Sequence, residues 1–236
     1  MLSERFRPTA STNSFRQSRV NFTKRIIQDI LASQDRCSII DVGGVPEYWS
    51  RFAPEIVADP RVSFTVVNLS FSGSDDHGGR FTLNEGDARD LRVYDDRHFD
   101  LAHSNSVIEH VGRWSDMSDM ANETCRVGRI HFVQTPYWGF PVEPHNRTVA
   151  FHWLPEQVRY RLVMRFKLGF WARASSVDQA MRAVQSNALL DRGQFEALFP
   201  ASFIYSERVL GLTKSLIAVG GDGYAVGNSS RRRRLE

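Results

Sequence analysis

The residues best suited to chemistry fall at three places along this 236-residue chain. At the first, Asp41-Val-Gly43-Gly44, a β-branched apolar run from Ser38 to Val42 ends in an acid and breaks into two glycines. A ligand lying against the backbone needs glycine there, because a Cβ would hold it off. At the second, Glu109 and His110 follow an apolar run, His98 to His103, and its polar continuation Ser104-Asn105-Ser106. The third is Pro136 to Arg147, where Glu143 and His145 stand among prolines and aromatics, with His152 soon after. An imidazole titrates near neutrality, so His110, or His145 with Glu143 beside it, can take a proton from a reacting group. Each of these residues also has a plain structural use, and a Gly-Gly pair can be no more than a tight connection.

The elements that must position them read as alternating strands and helices. Ser38 to Val42 has the pattern of a buried parallel strand, and Pro46 opens a helix that runs to Val57. Val62 to Leu69 is a second strand ending in Asn68, and Arg80 to Leu83 a third that runs into Gly86-Asp87-Ala88. His98 to His103 is the fourth, Trp114 to Arg126 an amphipathic helix, and Gly128 to Thr135 the fifth strand, stopped by Pro136. In open sheets of this kind ligands sit beyond the carboxyl ends of the strands. An asparagine at position 68 can bond ribose hydroxyls through either end of its amide, and Asp87 can accept from an exocyclic amine such as adenine's. Equally, Asp87 can cap the segment that follows it.

Beyond the fifth strand, Tyr137, Trp138, Phe140, His152 and Trp153 lie on a proline-stiffened loop suited to cover a small substrate. A basic, aromatic helical stretch follows to Trp171, then one long helix from Val177 to Phe199. Two strands, Ala201 to Leu210 and Thr213 to Val219, read as a closing hairpin. Before all of this, Ser14 to Ser33 forms a helix whose Arg16 and Arg19 either face solvent or close the site on a ligand carboxylate.

The composition, 42% hydrophobic and 24% charged, is that of an ordinary globular protein. Neither a full dinucleotide fingerprint nor a phosphate loop is present, which argues against a NAD-linked oxidoreductase. The formal charge of +3 resides in the tail Arg231–Glu236, leaving residues 1–230 neutral, so a nucleic-acid partner is not expected. No apolar run spans a membrane, the first residues lack a secretory h-region, and the only cysteines are Cys37 and Cys125. A cytoplasmic protein is expected.

Four motifs in order, Asp41-Val-Gly-Gly, Val66-Val-Asn68-Leu69, Gly86-Asp87-Ala88 and Phe99 to Val111, resemble those of class I S-adenosylmethionine (SAM)-dependent methyltransferases. The last, with Glu123 to Gly128 after it, is similar to the type-11 small-molecule enzymes. The likeness covers residues 36–135, and the terminal hairpin by order alone. It implies an α/β, Rossmann-like, seven-stranded and mostly parallel sheet with helices on both faces and an antiparallel end. By that resemblance the SAM amino-acid part lies over Asp41, Gly43 and Gly44, and its ribose on Asn68 and Leu69. Its adenine lies on Asp87 and Ala88, and its methyl end at Ser104, Asn105 and Ser106. Two departures stand out: Val45-Pro46 where the family has a further glycine, and Asn68 where it has an acid. No metal is expected, because in a related metal-binding pattern of RNA-end methyltransferases the position of Ser106 holds a glutamate.

The expected organisation is a flexible start (1–12), a SAM-binding core with an N-terminal helix (13–135) and a lid-like insertion (136–175). A helix and hairpin then complete the core (176–220), followed by a basic tail (221–236). The expected activity is methyl transfer from SAM to a small-molecule acceptor by in-line displacement. An RNA or protein acceptor, or a SAM- or nucleotide-binding protein without catalysis, are the alternatives. The oligomeric state is not set by the sequence, a homodimer being one arrangement open to it.

Overall fold

The computed structural model describes residues 10–71 and 78–224. The first nine residues of the expected flexible start and the Arg231–Arg234 tail lie outside the described residues.

Seven strands form one sheet in the order β3-β2-β1-β4-β5-β7-β6. They are β1 (Cys37–Val42), β2 (Val62–Asn68), β3 (Phe81–Glu85), β4 (Phe99–Asn105), β5 (Gly128–Pro136), β6 (Phe203–Val209) and β7 (Leu212–Gly221). The first five run parallel, and β7 enters antiparallel between β5 and β6. The expected fold class is thus the observed one. Strand order reverses direction at β1, which pairs with β2 on one side and β4 on the other. That reversal opens the crevice used by ligands in sheets of this type.

Alternation along the strands sends side chains to two cores. Ile39 packs with Ile26, Ile27, Trp49 and Phe64 beneath α1 (Ala10–Ser33), α2 (Pro46–Phe52) and α3 (Pro54–Ala58). Ile40 and Val42 face the other way, towards Met117 and Met120 of α4 (Trp114–Val127) and Phe195 of α7 (Arg192–Leu198). No helix among the described residues is long and apolar enough to cross a membrane.

Two expected helices are each broken. Pro54 cannot donate to the turn before it and restricts Ala53, so the segment after β1 becomes α2 and α3. The stretch from Val177 to Phe199 divides into α6 (Val177–Val184) and α7. Each has its own cap, Ser176 accepting from the Gln179 N–H and Asp191 forming a reciprocal box with Gln194. α6 packs on α5 (Glu156–Arg165): Phe151, Val163, Ala174, Ala180 and Val184 make a small third core outside the sheet. This third core joins residues 151–174 to α6.

Candidate active site

The glycine turn after β1 is braced from below. Register sets Asp41 of β1 beside His103 of β4, and Asp41 Oδ1 meets His103 Nδ1 at 2.7 Å. The other oxygen accepts from Trp49 Nε1 at 2.8 Å. Gly43 has φ +75, which L side chains rarely adopt, and a Cβ there would collide with Val107; a Cβ on Gly44 would strike the Asp41 carboxylate. The turn is also braced from the side: Asn68 Nδ2 donates to the Gly44 carbonyl at 2.9 Å. Leu69, beyond the tip of β2, is 74% exposed beside this turn.

A second recess lies beyond the tips of β4 and β5. Register places Asn105 next to Gln134, and Arg19 of α1 bonds both, Nη1 to Asn105 Oδ1 at 2.8 Å and to Gln134 Oε1 at 2.6 Å. Its Nε lies 3.3 Å from Glu207 Oε1 of β6. Ser106 follows β4 with φ 58 and donates from Oγ to Gln134 Oε1 at 2.8 Å. Arg19, Ser106 and Gln134 border a cavity of about 570 Å³ that also takes in Arg16, Tyr137, Phe140, His110, His145, Arg147 and Lys214. Arg147, like Ser106, holds a positive φ, 61°. Left-handed backbone at a non-glycine residue costs free energy and collects where a site must be held open.

Two histidines 35 positions apart in sequence meet at this cavity. Nδ1 of His110 faces the Ser186 carbonyl oxygen at 2.8 Å, and Nδ1 of His145 faces Glu143 Oε1 at 2.7 Å. Both partners only accept, so each Nδ1 carries the proton and each Nε2 presents a lone pair. The two Nε2 atoms lie 3.1 Å apart. Glu143 is buried, its Oε2 accepting the N–H groups of His145 at 2.9 Å and Asn146 at 2.7 Å. It fixes the loop and aims His145. Glu109 is buried beside the pair, with Oε2 accepting from Thr135 Oγ1 at 3.1 Å. Its Oε1 lies 4.0 Å from His110 Nε2 and has no hydrogen-bond partner. Burial pushes the Glu109 carboxyl upward, against the pull of His110.

Two facing lone pairs are reconciled by a shared proton or by a cation. A carboxylate oxygen of Glu109 and the two Nε2 atoms lie within 4.8 Å of one another, a donor set that a zinc-type divalent cation accepts. The expectation against a metal rested on Ser106. That hydroxyl turns to Gln134.

Of the expected cofactor contacts, Gly43, Gly44, Asn68 and Leu69 lie at the tips of β1 and β2, and Asn105 and Ser106 at the β4 tip. Asp41 is buried, with both oxygens engaged by Trp49 and His103. Ser104 is also buried and donates to the Val42 carbonyl at 3.0 Å. The Asp87 carboxylate is clamped by Arg89, with Nη2 to Oδ2 at 2.6 Å and Nε to Oδ1 at 2.9 Å, which holds it well below the usual carboxylate range. Ala88 packs on the second core. Of the expected substrate contacts, Tyr137 and Phe140 line the cavity. Trp138, His152 and Trp153 do not: His152 Nε2 and Trp153 Nε1 both bond the Trp138 carbonyl, at 2.8 and 2.9 Å, in a cluster of their own. Sequence reasoning passed over Gln134, Arg147 and Lys214, and named Glu109 only as a neighbour of His110.

No family model and no curated protein sequence matches the chain. Solved structures match it in chain path. The magnesium protoporphyrin IX methyltransferase of Synechocystis PCC 6803, with bound S-adenosylhomocysteine (SAH), is similar over 92% of this chain and 90% of its own, at 10% identity and a TM-score of 0.47. A SAM-dependent methyltransferase of Methanosarcina mazei matches 79% of this chain and 92% of its own, at 13% identity and a TM-score of 0.47. The fold itself is read from its own sheet: a seven-stranded, Rossmann-like, mostly parallel arrangement with an antiparallel end. A possible exported protein of Bordetella parapertussis is similar over 84% of this chain at 14% identity and a TM-score of 0.48; this chain spans 66% of that protein's length. The role of each side chain here is argued from its own surroundings.

Proposed function

We propose that this chain transfers a methyl group from SAM to a small-molecule acceptor. The observation that carries the reading is the pair Ser106-Val107 after β4. Ser106 lines the cavity, while Val107 is pressed against Gly43 of the β1 turn. A donor on the glycine turn and an acceptor in the cavity would then face each other across one peptide unit, as in-line displacement requires.

Bound SAM would supply an electrophilic sulfonium methyl with a neutral leaving group. The chain's own residues would do the remainder. The Gly43-Gly44 backbone lets the donor approach, Asn68 holds that turn in shape, and Leu69 with Ala88 offers apolar cover to the adenine. With Asp87 clamped by Arg89, the ring contacts fall to the backbone at Ala88 and to Leu69. His145, aimed by Glu143, takes the acceptor's proton on its Nε2 lone pair as it attacks, and His110 Nε2, 3.1 Å away, can then share that proton. Tyr137 and Phe140 supply apolar wall to the acceptor's body. The free thiols Cys37 and Cys125 suit a reducing cytoplasm.

Mass spectrometry of the protein as purified tests the donor. Co-purified SAM or SAH, and mass gain by a component of cell extract on addition of labelled SAM, are the expected results. Protein that carries neither compound and gains neither in soaking contradicts the reading.

A further inference from the structure

We propose that the cavity beside β5 recognises an oxyanion, so that its small-molecule ligand carries a carboxylate or phosphate on an aromatic or apolar body. Calling that ligand the methyl acceptor rests on the proposed function; its chemistry rests on the cavity.

Four cations line the cavity, Arg16 and Arg19 from α1, Arg147 from the loop and Lys214 from β7, and no acidic side chain among the described residues does. Glu207 of β6 is engaged by Arg19 Nε at 3.3 Å and by Ser215 Oγ at 2.6 Å. Arg147 lies over the ring of Phe170, 4.9 Å from its centroid. Lys214 is half-buried, with Nζ 3.6 Å from the centroid of the Phe15 ring, and has no ion pair among the described residues. Burial holds its ammonium below the ordinary range, Glu207 opposes this, and the like charges of Arg19, Arg16 and Arg147 add to it. Arg16 is lowered in the same way, first by burial and then by Arg19.

Like charges crowded into a partly dry recess repel one another, and an anion seated among them removes that repulsion. Water alone does this poorly because the walls are apolar: Phe15, Tyr137, Phe140, Val142 and Val209 share the lining. The volume, about 570 Å³, suits a ring-sized molecule with substituents. The histidine pair opens on the same space, so one molecule can present an oxyanion to the cations and a hydroxyl or amine to Nε2. Carboxylate and phosphate share the charge-assisted bonds an arginine or lysine offers, and differ in charge and in the number of oxygens.

Calorimetric titration of the full chain tests this with three probes, 4-hydroxybenzoate, phenyl phosphate and the neutral 4-hydroxybenzyl alcohol, each with and without SAH, and with SAH alone. At least one anion is expected to bind about tenfold or more tightly than the alcohol, and to weaken as salt is raised. The tighter of the two identifies the group. Lys214→Met should erase most of that preference and leave SAH affinity unchanged, while Lys214→Arg should keep it; melting curves show that each variant is folded. Equal binding of the alcohol and both anions, no binding of either anion, or a preference unmoved in Lys214→Met would overturn the proposal. If SAH fails to bind while an anion does, the methyl-transfer reading falls and the oxyanion site stands.

Discussion

The side-chain amide of Asn68 donates to the carbonyl oxygen of Gly44 at 2.9 Å, while its Oδ1 accepts the Leu69 N–H at 2.8 Å. The end of β2 thereby holds the turn after β1. A carboxylate cannot donate, and at this position it would face a carbonyl oxygen. This is a physical reason for an amide where the resemblance implies an acid. Asn68→Asp should therefore weaken SAH binding, by about tenfold for the loss of a bond worth about 1–3 kcal/mol. Calorimetry checks this, and tighter binding would mean that the turn does not need the amide.

The Glu143–His145–His110 chain leads to a kinetic expectation. His145→Ala removes the Nε2 that faces the cavity without touching the strand-tip turn. SAH affinity should stay within about twofold, while turnover on an acceptor that must lose a proton falls by roughly 10²–10⁴. Glu143→Gln should cost stability as well as turnover, because its carboxylate accepts two backbone N–H groups in addition to His145 Nδ1. Unchanged turnover in His145→Ala would remove this residue as the base.

Acid stability should report on His131. The ring is buried, Nε2 lies 2.6 Å from Ser202 Oγ, and burial lowers its pKa to about 4. Below about 6.5 the unfolded chain takes up a proton there that the folded chain refuses until about 4. Its contribution is full above 6.5 and is lost as pH falls towards 4, at about 1.4 kcal/mol per pH unit. Urea midpoints should drop across that window, and less steeply in His131→Gln. Parallel curves for the two proteins would contradict the assignment.

The sheet was legible because each strand carries its own signal. Ile39 and Ile40 are adjacent β-branched residues that serve opposite faces, and such runs mark strands buried on both sides. The helix breaks were legible in principle: Pro54, and the Asp191-x-x-Gln194 box that starts α7, are local signals outweighed by apolar periodicity in a first reading. The site was legible only in part. The glycine turn is local, but Asp41 reads as a ligand contact until Trp49 and His103 are seen to occupy its oxygens. Arg19 and Lys214 share a cavity only because α1 and β7 are brought together at the β5 tip. Glu109 stood out by type, yet its unpartnered oxygen beside two imidazoles is a product of tertiary folding.

The account depends most on a cofactor crevice at the tips of β1 and β2. Gly44→Val is a poor probe of it, since the new side chain would displace the Asp41 carboxylate and disturb the core. Leu69→Glu is a better one, because Leu69 is 74% exposed and its replacement should leave the melting temperature unchanged. The decisive measurement is calorimetric titration of SAH into the native protein and into Leu69→Glu. Measurable binding to the first, weakened roughly tenfold or more in the second through loss of apolar cover, is the predicted result. Absence of binding to the native protein, or equal affinity for both, would contradict it.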